Sequence, residues 1–242
     1  MSLIKYRDIL FRESLDKIQD GKLLINTINA YSFVTACHSE SFHAALLKSQ
    51  VLLPDGISIV MAMKLLTGEK LKKVSGADLF EWQMQRLEKI KGKCFFLGSS
   101  NDTLNKIYER CRVQYPNVSV QCYSPPYKAT FSREDSKLMI DAVNKFSPDV
   151  LFIGMTAPKQ EKWAAENFER IQAKHICCIG AVFDFYAGNI RRAPKWMIIL
   201  GFEWFYRLIR EPKRLWKRYL IGNTKFIALV LKEKRRIDLN GV

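Results

Sequence analysis

The chain has 242 residues, 48% of them hydrophobic and 26% charged, a balance that belongs to ordinary globular proteins and excludes disordered, fibrous and collagen-like classes. Its formal charge of +15 is uneven: residues 186–242 carry 14 Lys and Arg against 4 Asp and Glu, a net of +10, which leaves +5 for the rest. Charge of that size and placement calls for a polyanionic partner, whether nucleic acid, an anionic membrane face or a phosphorylated substrate.

The N-terminal stretch MSLIKYRDILFRES lacks the apolar core of a signal peptide, and nowhere does a run of about 18 uncharged apolar residues occur. A cytoplasmic protein that touches a membrane without crossing it is expected. Short apolar runs bounded by turn residues predict strands at Leu23–Ile28, Val51–Leu53, Cys94–Leu97, Val118–Tyr123, Val150–Ile153 and Ile176–Ile179. Between them, helical periodicity covers Tyr31–Gln50, Asp78–Lys91, Asp102–Gln114, Arg133–Phe146 and Lys159–Ala173. Alternating strands and amphipathic helices predict an α/β, Rossmann-like, doubly wound parallel sheet over residues 1–190. From about residue 191, aromatic and basic residues interleave in a C-terminal helical appendage, with a break at Glu211-Pro212.

Ligands of doubly wound sheets bind outside the carboxyl ends of the strands, so the strand-to-helix corners carry the candidate sites. In Leu52–Val60, LLPDGISIV, Asp55 is open to two readings, a turn residue or a catalytic carboxylate. Phe96–Asp102, FLGSSND, has the strand, small loop around Gly98 and helix start that can hold phosphate oxygens, although it is neither GxGxxG nor a Walker loop. An ordinary capped turn fits it equally well. Around Ala157–Trp163, capping and a cleft-facing Gln160 stand about even, as do structural and nucleobase-binding roles for Asp184 in its aromatic run. The three histidines are scattered without a nucleophile beside them, and no Asp-x-Asp pair exists to clamp a metal on a diphosphate. The six cysteines include no CxxC pair and read as reduced thiols. In the appendage, Arg207, Arg210, Arg214 and Lys217 share a face if one helix runs through the Pro212 break, with Arg218 beside them. Together with Trp204, Phe205, Trp216 and Tyr219 they suit phosphates at a membrane interface. A solvated basic helix with aromatics packed on the core is the plainer account. No recognised DNA- or RNA-binding motif accompanies the charge, so nucleic acid is not the expected partner.

Taken in order, Thr27–Ala30, Leu53–Gly56, Lys73–Leu79, Ala157–Glu161, Gly180–Asp184 with Ala187-Gly188, and Glu203-Trp204 through Arg218-Tyr219 resemble the WecG/TagA/CpsF glycosyltransferases. The resemblance implies an inverting, metal-independent enzyme without a cofactor. Such an enzyme moves N-acetylmannosamine or a related hexose from a UDP-sugar to a polyprenyl-diphosphate-linked saccharide, in surface polysaccharide or wall polymer synthesis at the inner membrane face. By that likeness Asp55 is the general base, Thr27 and Asn29 are donor-pocket residues, and Gly56 leaves room for the sugar. Gln160 then lies at the diphosphate or sugar and Asp184 at the uracil. Lys73 and Lys217 stand where Arg is frequent in the family, keeping charge but losing the bidentate fork. Arg207 and Arg214 face the acceptor diphosphate. The Tyr127–Ser132 segment departs from the family's Gly-Tyr before Phe-Ser. Two other classes compete: a non-catalytic nucleotide- or nucleic-acid-binding module with a basic tail, and a Rossmann oxidoreductase, against which the missing GxGxxG counts. Self-association through an apolar helical face stays open.

Overall fold

A computed structural model describes residues 2–240, apart from the side chains of Lys195, Ile199, Arg214 and Asn240. Six parallel strands, β1 (Leu23–Ile28), β2 (Val51–Pro54), β3 (Lys93–Gly98), β4 (Ser119–Tyr123), β5 (Val150–Gly154) and β6 (His175–Cys178), form one sheet in the order β2-β1-β6-β5-β3-β4. This is the doubly wound α/β architecture that the alternating pattern predicts.

The period-2 alternation of side chains divides the core between the two faces of the sheet. Ile25, Leu53, Phe96, Phe152 and Cys177 face one way. They pack under α4 (Gly76–Ile90), α5 (Asn101–Gln114) and α8 (Val182–Tyr186). Leu24, Phe95, Leu151 and Ile176 face the other way, under α6 (Arg133–Phe146) and α7 (Lys159–Asn167). Beside them, Ile28 and Leu52 join a third cluster with α1 (Ala30–Cys37), α2 (Glu40–Leu47), α3 (Ile57–Thr67) and the N-terminal turn Leu3–Ile9. Because strands buried on both faces carry almost no polar positions, they read in sequence as continuous apolar runs.

Helix starts follow local chemistry. Asn29, Ser75 and Ser132 each accept a bond from the backbone of the third helical residue, whose side chain reaches back to the cap. Ser39 caps α2 and splits the expected Tyr31–Gln50 helix in two. The helix expected over Lys159–Ala173 ends at Asn167, where a short 3-10 turn, Phe168–Arg170, leads toward β6.

The appendage continues as α9 (Lys195–Ile199), α10 (Glu203–Arg210), α11 (Pro212–Trp216), a π-helical turn (Lys217–Ile221) and α12 (Gly222–Asn240). Pro212 occupies the first turn of α11, and Glu211 before it leaves helical geometry at φ −133°, ψ 58°. No single helical face therefore carries Arg207, Arg210, Arg214 and Lys217. α12 packs on α1 and α3, with Phe226 edge-on to Phe33 at 5.6 Å and Val230 buried. Among the described residues no helix is long and apolar enough to cross a membrane.

Gly98 ends β3 at φ +122°, and a Cβ there would stand 2.6 Å from the Gly154 carbonyl oxygen. Both the backbone angle and the close approach of β3 to β5 exclude a side chain. Gly98→Ala is accordingly expected to lower stability by about 2 kcal/mol or more, read as a fall in the urea midpoint of unfolding.

Candidate active site

At the carboxyl edge of the sheet, the ladder between β1 and β2 runs one residue past the strands: the Asp55 amide donates to the Ile28 carbonyl at 2.8 Å. By strand alternation this rung sets Asp55 on the face of Leu53 and of its neighbour in register Thr27. Gly56 then turns the chain at φ +113°, and a Cβ on it would lie 3.9 Å from the Asn29 Cβ. The Val74 amide donates to the Pro54 carbonyl at 3.1 Å, which fixes the preceding Lys73 beside the same corner. Asp55, Gly56, Thr27, Asn29 and Lys73 are brought together here, all half-buried. Asn29 also has a structural task, since its Oδ1 accepts from the Ser32 amide at 3.0 Å as the cap of α1.

Burial pushes the Asp55 carboxyl up to about 6. The nearby Glu203 and Asp78 carboxylates act in the same direction, and the Lys73 and Arg218 cations oppose them. A carboxylate held there is a stronger base than a solvated one and is still ionised at neutral pH.

A second group forms around the ends of β3, β5 and β6. Ser100 caps α5, accepting from the Thr103 amide at 3.3 Å. Asn189 Nδ2 donates to Thr103 Oγ1 at 2.9 Å and to Asp184 Oδ1 at 3.5 Å, while Lys106 Nζ donates to Asn189 Oδ1 at 3.1 Å. Asn189 so joins Asp184 to the loop at Gly98. Gln160 turns inward: its Oε1 accepts from the Met155 amide at 3.2 Å and its Nε2 donates to Glu161 Oε1 at 2.8 Å. Glu161 is only 2% exposed. Burial raises it to about 7 against the opposing pull of the Gln160 hydrogen bond, its own backbone amide and Arg218. Its second oxygen is buried without a hydrogen-bond partner among the described residues.

The appendage touches the cleft at separate points. Arg207 lies over the Phe185 ring at 5.3 Å, next to Asp184, and Arg218 lies over the Tyr31 ring at 4.4 Å. Arg218, Lys217 and Lys225 share a recess of about 280 Å³ with Tyr31, Val34 and Thr35. Arg210 stacks on Tyr206 and Lys217 on Trp216, both at 5.5 Å and both on the exposed side. The side chain of Arg214 lies outside the described residues. Sequence reasoning missed Glu161, Asn189 and Arg192. The Gln-Glu pair opening α7 was a signal for the first, but no local pattern marks the other two.

A parallel sheet whose strand ends open on one cleft, with a half-buried carboxylate at one corner and a helix N-terminus at another, has the architecture of α/β enzymes that bind their ligands at the carboxyl edge of the sheet. The chain belongs to the glycosyl transferase WecG/TagA/CpsF family, whose model matches residues 4–239. It is 31% identical over 235 residues, 97% of this chain and 88% of the relative, to an N-acetylglucosaminyldiphosphoundecaprenol N-acetyl-beta-D-mannosaminyltransferase of Bacillus subtilis (strain 168). A relative with the same description from Bacillus spizizenii (strain ATCC 23059 / NRRL B-14472 / W23) is 28% identical over 217 residues, 90% of this chain and 82% of the relative. The chain is a glycosyltransferase, which removes the oxidoreductase and the non-catalytic binding module from consideration.

Glu161 makes a stability prediction with a definite sign. Its folded value of about 7 lies above the ordinary 4.5, so its contribution is full below about pH 4.5 and is lost as pH rises through about 7. Glu161→Gln removes that loss. Between pH 4.5 and 8 the wild type should lose on the order of 3 kcal/mol more than the variant in chemical denaturation.

Proposed function

We propose that this glycosyltransferase moves N-acetylmannosamine, or a closely related hexose, from a UDP-sugar to a polyprenyl-diphosphate-linked N-acetylglucosamine, as a step in surface polysaccharide or wall polymer assembly. The observation that carries the reading is the Asp55 carboxyl, raised to about 6 at the corner of β1 and β2 with Lys73 and Arg218 facing it. The relatives' descriptions support the transferred sugar and the acceptor.

The Asp55 carboxylate takes the proton of the acceptor hydroxyl as its oxygen attacks the anomeric carbon, and the bond from that carbon to the diphosphate breaks on the opposite face, inverting the centre. Negative charge grows on the leaving UDP and needs donors already in place. Lys73, the capped start of α5 after Gly98, and Arg218 stabilise that charge without a metal or cofactor. Thr27, Asn29 and Gly56 border the sugar beside the base. Asp184, oriented by Asn189, is suited to accept hydrogen bonds from the uracil edge. Gln160 serves the pocket by holding the Met155 amide and Glu161 in place, a less direct part than contact with the diphosphate. The acceptor diphosphate falls to Arg207, Arg210, Arg214 and Lys217, and the exposed Trp196, Leu200, Phe202, Phe205 and Ile209 suit a peripheral seat on an anionic membrane face. Residues 1–190 act as the catalytic core and 191–242 as the acceptor- and membrane-facing appendage.

The test offers a panel of UDP-sugars with a short-chain polyprenyl-diphosphate acceptor in chelator-containing buffer and weighs the product by mass spectrometry. UDP-N-acetylmannosamine should give a product heavier by one N-acetylhexosamine. Asp55→Asn should cut transfer by about three orders of magnitude or more and leave UDP binding intact; full activity in that variant removes Asp55 as the base. The wild-type rate should rise with pH through about 6, since only the ionised carboxylate accepts a proton.

A further inference from the structure

The turn between α9 and α10 reaches the catalytic corner. Gly201, at φ +79°, packs so closely on α3 that a Cβ there would stand 3.0 Å from Ile57 Cγ2. Ile57 lies two residues after Asp55, and Glu203 two residues after Gly201. The contact therefore sets Glu203, the first residue of α10, against the corner that holds Asp55. Glu203 is half-buried and is held from behind: Arg192 Nε lies 3.7 Å from its Oε1, and Arg192 Nη2 reaches Ser75 Oγ at 3.4 Å. Ser75 caps α4 two residues after Lys73. The chain Ser75–Arg192–Glu203 so ties the appendage to the same loop that carries Lys73.

We propose that Glu203 is a positioning residue that raises the basicity of Asp55, so that the appendage contributes an electrostatic part of the catalytic step as well as a binding surface. The proposal rests on the assignment of Asp55 as general base.

Two carboxylates at one corner cannot both ionise freely; the charge on one makes the other hold its proton more tightly and, once ionised, accept a proton more readily. The groups facing Asp55 are Glu203 on α10, Lys73 on the α3–α4 connection, Asp78 on α4 and Arg218 on the π-helical turn. Of the two carboxylates, Asp78 is exposed and spends its Oδ2 on the Ser75 amide and hydroxyl at 2.8 and 2.7 Å. Glu203 exerts the larger effect on Asp55. Arg192 sets how much of the Glu203 charge Asp55 feels.

That arrangement separates tuning from docking by sign. Single-turnover transfer is measured from pH 4.5 to 9 for the wild type, Glu203→Gln, Glu203→Asp and Arg192→Gln, with UDP binding followed in parallel. Glu203→Gln should move the acid limb to lower pH by roughly half a unit or more, lower the plateau rate about two- to fivefold and leave UDP affinity unchanged; Glu203→Asp should restore the limb toward wild type. Arg192→Gln, which leaves Glu203 charged and less compensated, should move the limb to higher pH. A limb that moves in the same direction in both variants, or in neither, overturns the proposal and leaves Glu203 and Arg192 as docking groups. If Glu203→Gln does not fold, the upward shift in Arg192→Gln decides alone. An inactive Asp55→Asn alongside unmoved limbs defeats only the Glu203 proposal, whereas an active Asp55→Asn defeats the base assignment beneath it.

Discussion

The site depends on one backbone hydrogen bond, from the Asp55 amide to the Ile28 carbonyl. Without it, Asp55 would be the middle residue of a Pro-Asp-Gly turn, free to point at solvent. With it, the residue is the last rung of a parallel ladder, and ladder geometry dictates which face its side chain takes. That face is shared with Thr27 and lies under the helix that follows Lys73. Only after this rung does Gly56 break the strand, at a backbone angle that other residues adopt with strain. The cleft is thus as rigid as the sheet edge from which it is cut.

Rigidity has an electrostatic consequence. A carboxylate fixed at a half-buried corner cannot move toward water to be solvated, so its proton affinity is set by its neighbours. Two of those neighbours, Glu203 and Arg218, belong to the appendage. Arg207 and Arg218 each bury an Nε that has no hydrogen-bond partner among the described residues, while their guanidinium planes rest on Phe185 and Tyr31. Stacking on an aromatic face orients a guanidinium without satisfying its N–H groups. Cations held in this way retain donors for an incoming phosphate, and the cost of holding them is met by the rings beneath.

What could be read from sequence follows from how local each cause is. The central strands β3, β5 and β6 were legible because a doubly covered sheet needs nearly uninterrupted apolar runs, and the Glu211-Pro212 break because proline acts on its immediate neighbour. The Asp55 corner was legible as a position, and the ordered resemblance supplied the role proposed for it. The split of Tyr31–Gln50 was missed because Ser39 is an ordinary residue until its hydroxyl caps Phe42. Gln160 was expected to face the cleft, yet burial at 4% exposure with Met155 and Glu161 as partners depends on α7 lying across β6 and β1. Gly98 fitted a phosphate loop equally well, and its tight contact with Gly154 arises only when β3 and β5 pair. Glu203 and Arg192 act through a contact between Gly201 and Ile57, 144 residues apart in the chain, which no local pattern encodes.

The appendage is attached in two physically different ways, and the difference bears on how it meets its acceptor. α12 is fixed by desolvated contacts: Phe226 against Phe33, Val230 in the core, and the buried Glu233, whose carboxylate receives Ser2 Oγ and the amides of Leu3 and Ile4 at 2.8 and 3.2 Å. These bonds join the two ends of the chain and are worth most because little water competes for them. From α9 to the π-helical turn the attachments include one buried side chain, Leu215, a long ion pair, two cation–π contacts and one glycine packing, with Trp196, Leu200, Phe202, Phe205 and Ile209 left exposed. An apolar surface of that kind gains free energy only by meeting something apolar. Contact with lipid would therefore act first on the weakly held segment that carries Glu203, while α12 keeps the base of the appendage on the sheet. Under the proposed function, seating on a membrane and tuning of the Asp55 carboxylate would draw on the same few contacts.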